Sequence, residues 1–178
     1  MTGRVPVPVV RTLMRPLTES VFHRSFVNAS KGDAQRAQLP DLSGIDWDQR
    51  DLIGWQDPKR PQRYYVSLEL DGEIATLLLR GAENPPSRKL LCAWCEDLAD
   101  GIRAASFVAP LGGEAGRRGN TVGTMICADF RCSRNVRREP PPYELRTQDP
   151  ALIAYHREQK IAGLRERSTR FVRAVSQG

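Results

Sequence analysis

The sequence lacks any long apolar run. No window reaches about 18 uninterrupted apolar residues, the length that a membrane-spanning helix needs. The start, MTGRVPVPVV, is interrupted by two prolines and has neither the apolar core nor the small-residue cleavage site of a signal peptide. We therefore expect a cytoplasmic protein with no membrane partner.

Histidine is scarce, and the common enzyme motifs are missing. His23 and His156 are the only two histidines, and both fall in predicted helices far from the cysteines. No glycine-rich phosphate loop of the Walker type occurs. The aspartates around Trp47 are better suited to capping turns than to acid–base catalysis. We expect no enzyme activity and no small-molecule substrate.

The charge is positive and unevenly distributed. The 178 residues include 27 Lys and Arg against 21 Asp and Glu. Residues 1–80 hold 11 basic against 10 acidic residues, whereas residues 81–178 hold 16 against 11. The last cysteine is followed by a basic run of Arg131, Arg134, Arg137 and Arg138, in which residues 131, 134 and 138 would share one face of a helix. This excess favours an acidic partner, either RNA or an acidic protein surface, although an ordinary solvated surface fits it equally.

The chain is predicted to be one domain with a short lead-in. Residues 1–15 are expected to be disordered or extended, and residues 16–178 to form the domain. A helix should begin after Thr18, which can cap it, and a second short helical piece should end near Leu39. The following stretch 40–65, rich in Asp, Gly, Pro and Trp, indicates an ordered irregular loop.

Two β-hairpins and a long helix are predicted downstream. Asp71-Gly72 lies between two β-prone runs, residues 65–70 and 74–79, which is a strong hairpin signal. A second hairpin pairs residues 105–109 with 122–126 across the glycine-rich tip GGEAGRRGN.

The final helix has a clear start and an apolar stripe. Asp149 suits the N-cap and Pro150 the first helical position. The stripe consists of Ile161, Leu164, Phe171, Val172 and Val175. Strands and helices that segregate in this way indicate an α+β fold.

All four cysteines form two close pairs. Cys92 and Cys95 are separated by two residues, and Cys127 and Cys132 by four. Zinc takes four thiolates in a tetrahedron, at about 2.3 Å each. Four protein ligands leave no open position, so this pattern predicts one structural zinc ion and no metal catalysis.

The cysteines allow two other interpretations. Cys92 and Cys95 have the spacing of a redox dithiol, although the βαβ setting of such a site is not apparent. Simple buried thiols or disulfides are the other alternative, and disulfides are uncommon in cytosolic chains.

The order of these elements adds further information. The pair Cys92 and Cys95 can form a tight turn around a metal ion, called a zinc knuckle. A knuckle, then a hairpin, and then the last cysteine, Cys132, at the start of a helix follow the plan of a treble-clef zinc finger. The chain resembles the elongation factor G-binding family of the fusidic-acid-resistance type, in its C-terminal treble-clef domain. The resemblance runs from about residue 16 to the end of the last helix. It is carried by FVNASKG at 26–32, Trp47, LIGWQDP at 52–58, CAWC at 92–95, GRRGNTVGT at 116–124 and ICADFRCS at 126–133.

The resemblance implies a binding protein for elongation factor G that acts beside the ribosome and promotes release of the factor. In drug-resistant members this rescues translation blocked by fusidic acid. Those members carry an additional N-terminal helical bundle, whereas here we expect only a short lead-in before the zinc domain. A zinc-dependent RNA- or ribosome-binding module that does not need the factor is the alternative.

Four residues are candidates for partner contact. Phe107, Arg118 and Phe171 resemble, in position and type, aromatic and basic contact residues of the family. Arg117 accompanies Arg118 at the glycine-rich tip, where arginines would seek carboxylates or phosphates. Core positions for the two phenylalanines and solvated positions for the two arginines are the competing interpretations.

Overall fold

The computed structural model describes residues 14–86, 89–97, 99 and 101–178. Most of the predicted lead-in, residues 1–13, lies outside the described residues. The helices and strands, in chain order, are α1 (Glu19–Arg24), α2 (Lys31–Arg36), a 3₁₀ turn (Trp47–Gln49), β1 (Leu52–Gln56), β2 (Arg63–Leu70), β3 (Glu73–Arg80), β4 (Ala104–Pro110), α3 (Gly113–Arg117), β5 (Thr121–Cys127), α4 (Cys132–Asn135) and α5 (Pro150–Ser176).

The five strands form one antiparallel sheet in the order β1-β2-β3-β4-β5. Both predicted hairpins are confirmed as β2–β3 and β4–β5. At the first turn Asp71 and Gly72 have φ of 52° and 83°. Two central residues with positive φ match the twist of antiparallel strands, which is why Asp-Gly selects a two-residue turn.

The prediction of an irregular loop over residues 40–65 is wrong at β1. Leu52–Gln56 pairs with β2 as the first strand of the sheet. Gly54 is required there by close packing, because a Cβ would lie 2.5 Å from Cγ of Phe130. A glycine inside a strand lowers the β signal of the sequence, and here it marks the close approach of another element.

The N-terminal helices are both short and capped by hydroxyl side chains. Thr18 Oγ1 accepts a hydrogen bond from the Val21 N–H, which confirms the predicted start of α1. Ser30 caps α2 in the same way, and α2 ends at Arg36, before the predicted end near Leu39. The predicted glycine-rich tip of the second hairpin contains α3, so it is not a simple loop.

The sheet has a core on each face. On the first face, α5, α4 and the cysteine segment cover β2, β4 and β5. Its large buried side chains include Tyr64, Val66, Leu68, Trp94, Phe107, Ile126, Leu164 and Val172. We call this the metal face, because all four cysteines belong to it.

On the opposite face, α1 and the segment around Trp47 cover β1, β2 and β3 without any cysteine. Its residues include Met14, Leu17, Phe22, Ile53, Tyr65, Ile74, Leu78 and the partly buried Phe26 and Trp55. We call this the aromatic face. The rings of Phe22 and Tyr65 lie 5.7 Å apart in an edge-on arrangement.

Helix α5 begins as predicted. Asp149 Oδ1 accepts a hydrogen bond from Ala151 N at 2.8 Å, and Pro150 is the first helical residue. Of the predicted stripe, Phe171 is half-buried and the other four members are buried. Within the described residues, none of the helices is long and apolar enough to span a membrane.

Candidate metal centre

The four cysteine sulfurs converge on one point. All four Sγ atoms lie within 4.8 Å of one another, and every cysteine is buried. Cys92 Sγ lies 3.7 Å from Cys132 Sγ, and Cys95 Sγ lies 3.5 Å from Cys127 Sγ. A tetrahedron of sulfurs about 2.3 Å from a central ion has edges of about 3.8 Å. The sulfurs are therefore spaced for one zinc ion.

The first pair sits on a tight knuckle between β3 and β4. The N–H groups of Trp94 and Cys95 both donate to Cys92 Sγ at 3.4 Å. Glu96 N then donates to Cys92 O at 2.9 Å and takes a positive φ of 51°. These bonds curl the chain around the Cys92 sulfur and favour its thiolate form.

The second pair spans the exit from β5 and the start of α4. Cys127 is the last residue of β5 and Cys132 the first of α4, as predicted. Between them Phe130 has a φ of 56°, which is rare for a bulky residue. Packing between Gly54 and Phe107 holds its ring in place, with ring centroids of Phe107 and Phe130 5.3 Å apart.

Asn135 is a functional residue that the sequence reasoning missed. Its Nδ2 donates to Cys127 Sγ at 3.3 Å and lies 4.0 Å from Cys95 Sγ. Donors of this kind stabilise the negative charge that a zinc tetrathiolate carries. Asn135 stands three residues after Cys132 in the short helix, so its spacing from the ligand was the available signal.

The knuckle is fixed to the rest of the fold on two sides. Ala93 N donates to Met125 O on β5 at 2.8 Å, and Arg167 Nε donates to Trp94 O at 2.8 Å from α5. The buried ring of Trp94 packs on Phe171, with centroids 5.7 Å apart. Metal ligation is thereby coupled to the position of both β5 and α5.

Four buried thiols in mutual contact can all ionise only if a cation balances their charge. The hydrogen bond with Cys127 lowers the pKa of Cys92, whereas the hydrogen bond with the same thiol raises the pKa of Cys132. The hydrogen bond with Cys127 lowers the pKa of Cys95 as well, but ionisation of all four thiols would place like charges together in a buried site. A divalent ion removes this conflict, and with four ligands it is closed to substrate.

The two alternative interpretations of the cysteines fit less well. Sulfur separations of 3.5 and 3.7 Å far exceed a disulfide bond of about 2.05 Å. A redox dithiol needs an accessible thiolate, and both Cys92 and Cys95 are 0% exposed.

A zinc knuckle, a β-hairpin and a ligand-bearing short helix define this chain as a treble-clef zinc-finger protein. It belongs to the FBP C-terminal treble-clef zinc-finger family, whose model matches residues 22–175. The zinc and the α+β fold that the sequence predicted are therefore confirmed.

A solved structure with the same fold is that of the fusidic acid resistance protein FusC. The match has a TM-score of 0.54 and 19% sequence identity, and covers 70% of this chain. It covers 54% of the FusC chain, so this chain spans about half the length of FusC. At this identity the similarity shows the fold alone. No curated protein matches the chain.

The structure corrects the prediction that Phe107 contacts a partner. Its side chain is 0% exposed and packs edge-on against Tyr64, with centroids 5.0 Å apart. Phe107 points to the metal face because strand alternation places it opposite the exposed Ser106 and Val108. It supports the sheet beneath the zinc centre and offers no surface to a partner.

The other three contact candidates reach the surface. Arg117 and Arg118 are exposed at the end of α3, where Arg118 forms an ion pair with Glu114. Phe171 is half-buried on α5, beside the knuckle. A role for these three residues in partner contact stays a prediction.

The basic run after the last cysteine does not form one helical face. Helix α4 ends at Asn135, so Arg131 and Arg138 are not on a common helix. Arg138 instead binds the buried Asp97 at 2.6 Å and also Glu144. Arg137 pairs with the buried Asp51, which Arg165 of α5 also reaches at 2.7 Å. Much of the predicted basic surface is therefore internal structure.

The histidines and aspartates considered for catalysis have structural partners. His23 Nδ1 lies 2.7 Å from Ala34 O. Asp57 is buried, which opposes its ionisation, but hydrogen bonds from Tyr65 and from Lys59 N outweigh this and keep the pKa of Asp57 lowered. Asp46 caps the 3₁₀ turn as expected.

Proposed function

We propose that this chain is a non-enzymatic, zinc-stabilised protein that binds elongation factor G at the ribosome and promotes its release. The observation that carries the proposal is membership of the FBP treble-clef family over residues 22–175. The fold that the chain shares with the fusidic acid resistance protein FusC also supports this proposal. Protection of translation against fusidic acid in the cytoplasm is the activity that follows.

The structure suggests which surface would bind. Phe171 and the exposed Arg170 lie on α5 next to the knuckle, and Arg117 and Arg118 extend from the far end of the hairpin. Zinc itself would not touch the partner. It would fix the knuckle against β5 and α5, so that the side chains on both elements keep their relative positions.

The test is direct binding of purified, zinc-loaded chain to purified elongation factor G by calorimetry. We expect a one-to-one complex, and Phe171→Ala to weaken it by about tenfold or more, as for an aromatic residue in an interface centre. Leu152→Ala is the matched control, because Leu152 is 51% exposed at the other end of the same helix. A zinc-loaded, folded chain that does not bind the factor would refute the proposal.

The alternative is a zinc-dependent RNA- or ribosome-binding module that acts without the factor. The exposed Arg131 and Arg134 beside the metal centre favour it. Binding to purified ribosomal RNA that weakens steeply with salt, together with no binding to the factor, would support this function instead. The internal pairing of Arg137 and Arg138 reduces the charge available for RNA, so the protein partner is preferred.

A further inference from the structure

The hydrogen-bonding pattern of β5 is fixed at both of its ends. Leu111 N donates to Asn120 O just before the strand, at 2.9 Å, and Ala128 N donates to Arg103 O just after it, at 3.0 Å. In an antiparallel pair, residues that bond to the neighbouring strand alternate with residues that face away. The even-numbered residues of β5 therefore bond to β4.

The odd-numbered residues of β5 direct their backbone groups away from β4. β5 is the last strand in the sheet order, so these groups face an outer edge. Met125 O is already bonded there by Ala93 N of the knuckle. In the described part of the chain, no backbone group pairs with those of Thr121 and Gly123 on this side. The outward N–H and C=O groups of Thr121 and Gly123 therefore remain open, on the side of Met125 that is further from the cysteines.

Beyond Met125, which the knuckle covers, this edge carries no protective residue. Natural sheet edges are shielded by charged side chains, prolines or bulges, and β5 has the sequence TVGTMIC. Gly123 is exposed, and a Cβ there would meet only the backbone oxygen of Phe107, at 3.9 Å. Internal packing therefore does not require a glycine at this position. Its effect is to leave the edge accessible.

A shallow groove runs between this edge and α5. Thr124 and Met125 line one side, and Phe171 and Ala174 the other. Arg170 lies at the rim with 68% of its side chain exposed, and it pairs with the similarly exposed Glu166 at 3.8 Å, a solvent-screened pair that an acidic segment can replace. An apolar floor with a basic rim is complementary to an extended segment that carries an apolar and an acidic side chain.

We infer that the open edge of β5 binds an extended, acidic segment of elongation factor G as a sixth strand of the sheet. This inference rests on the proposed function, which supplies the partner. Thr121 and Gly123 would exchange main-chain hydrogen bonds with the segment, and its apolar side chain would lie on Phe171. The knuckle, already bonded to Met125, would set the end of the added strand.

Hydrogen exchange at single amides tests the inference in the intact, zinc-loaded chain. In the free chain, the N–H groups of Val122 and Thr124 should exchange slowly and those of Thr121 and Gly123 fast. Saturation with elongation factor G should slow exchange at Thr121 and Gly123 by about tenfold or more. Binding of the factor without slower exchange at these two amides would overturn the inference while leaving the proposed function intact.

A pair of variants at one position provides a second test. Gly123→Pro removes the outward N–H without removing a bond to β4, whereas Gly123→Ala keeps that N–H. We expect the proline variant to bind the factor about tenfold or more weakly and the alanine variant within about threefold of wild type. Zinc content reports that each variant is folded, and if the proline variant is not, the exchange measurement decides.

Two other outcomes would also count against the inference. Protection of Thr121 and Gly123 that rises with protein concentration in the absence of the factor would assign the edge to a second copy of the chain. Absence of any complex between wild-type chain and factor, seen by calorimetry, would refute the proposed function and the inference together.

Discussion

The two faces of the sheet are stabilised in different ways. The aromatic face relies on ring packing among Phe22, Phe26, Trp55 and Tyr65, with centroid distances of 5.0 to 5.7 Å. The metal face is covered in part by a knuckle and a four-residue helix, which are too short to be stable alone. A metal ion can hold such short pieces against the apolar core of this face, and their outer surfaces then become available for binding.

The largest expected effect comes from removing one zinc ligand. Cys132→Ser should reduce the zinc content from one ion to nearly none, because a hydroxyl is a poor zinc ligand. Structural zinc contributes on the order of 10–16 kcal/mol in small peptides, so the metal face should lose its order. Metal analysis and thermal unfolding measure both effects.

Ser106→Ala is the control for this ligand variant, because Ser106 is exposed on the neighbouring strand β4. It should keep one zinc ion and the wild-type thermal midpoint. A Cys132→Ser protein that retains stoichiometric zinc and unfolds like wild type would show that the metal face does not depend on this ligand.

A cavity in the aromatic face should destabilise the protein without releasing zinc. Phe22 is 0% exposed and contacts four rings. Phe22→Ala should lower the free energy of unfolding by about 3–5 kcal/mol. Phe22→Leu should cost less, because it leaves a smaller cavity. Denaturant unfolding at low temperature measures the loss, and zinc release by the folded variant would contradict the separation of the two faces.

Loss of the buried ion pairs of Asp51 should have an intermediate effect. The buried carboxylate of Asp51, just before β1, binds Arg137 after α4 and Arg165 on α5. Asp51→Asn leaves two arginines without their counter-charge, and should cost about 3 kcal/mol. Asp71→Asn is the comparison, because Asp71 is exposed and its pair with Arg173 should contribute less than about 1 kcal/mol. Equal losses in the two variants would contradict the role of Asp51 as a buried anchor between β1, α4 and α5.

The smallest effect concerns acid sensitivity on the aromatic side. A hydrogen bond from Arg63 lowers the pKa of Asp33 from 3.8 to about 2. Since the folded pKa is below the unfolded one, the stabilisation is present above pH 3.8 and is lost as pH falls towards 2.

The difference in thermal midpoint between wild type and Asp33→Asn should therefore shrink over that range. The thiolates release zinc in acid in both proteins, so only the difference is informative. A midpoint difference that is constant from pH 5 to pH 2 would contradict the assigned role of the Arg63 contact.

The sequence predicted the features that depend on local chemistry. The Asp71-Gly72 turn, the Asp149 cap and the spacing of the four cysteines each require particular residues over a few positions. These signals located both hairpins, α5 and the zinc centre.

The features that depend on distant contacts were missed. β1 contains Gly54, and a glycine is needed there because the ring of Phe130, 76 residues further along the chain, packs against it. Arg137 was taken as part of a basic surface because its partner Asp51 is 86 residues earlier. Phe107 was a candidate for both core and surface, and strand alternation alone did not say which face was covered. Such contacts become visible only when the sheet order is known.

The most direct test of the central claim is X-ray absorption at the zinc edge on the purified full chain, together with metal analysis. We predict one zinc ion per chain with four sulfur neighbours at about 2.3 Å. Nitrogen or oxygen in the coordination shell, or a folded chain without zinc, would contradict the conclusion that Cys92, Cys95, Cys127 and Cys132 close this fold around a single metal ion.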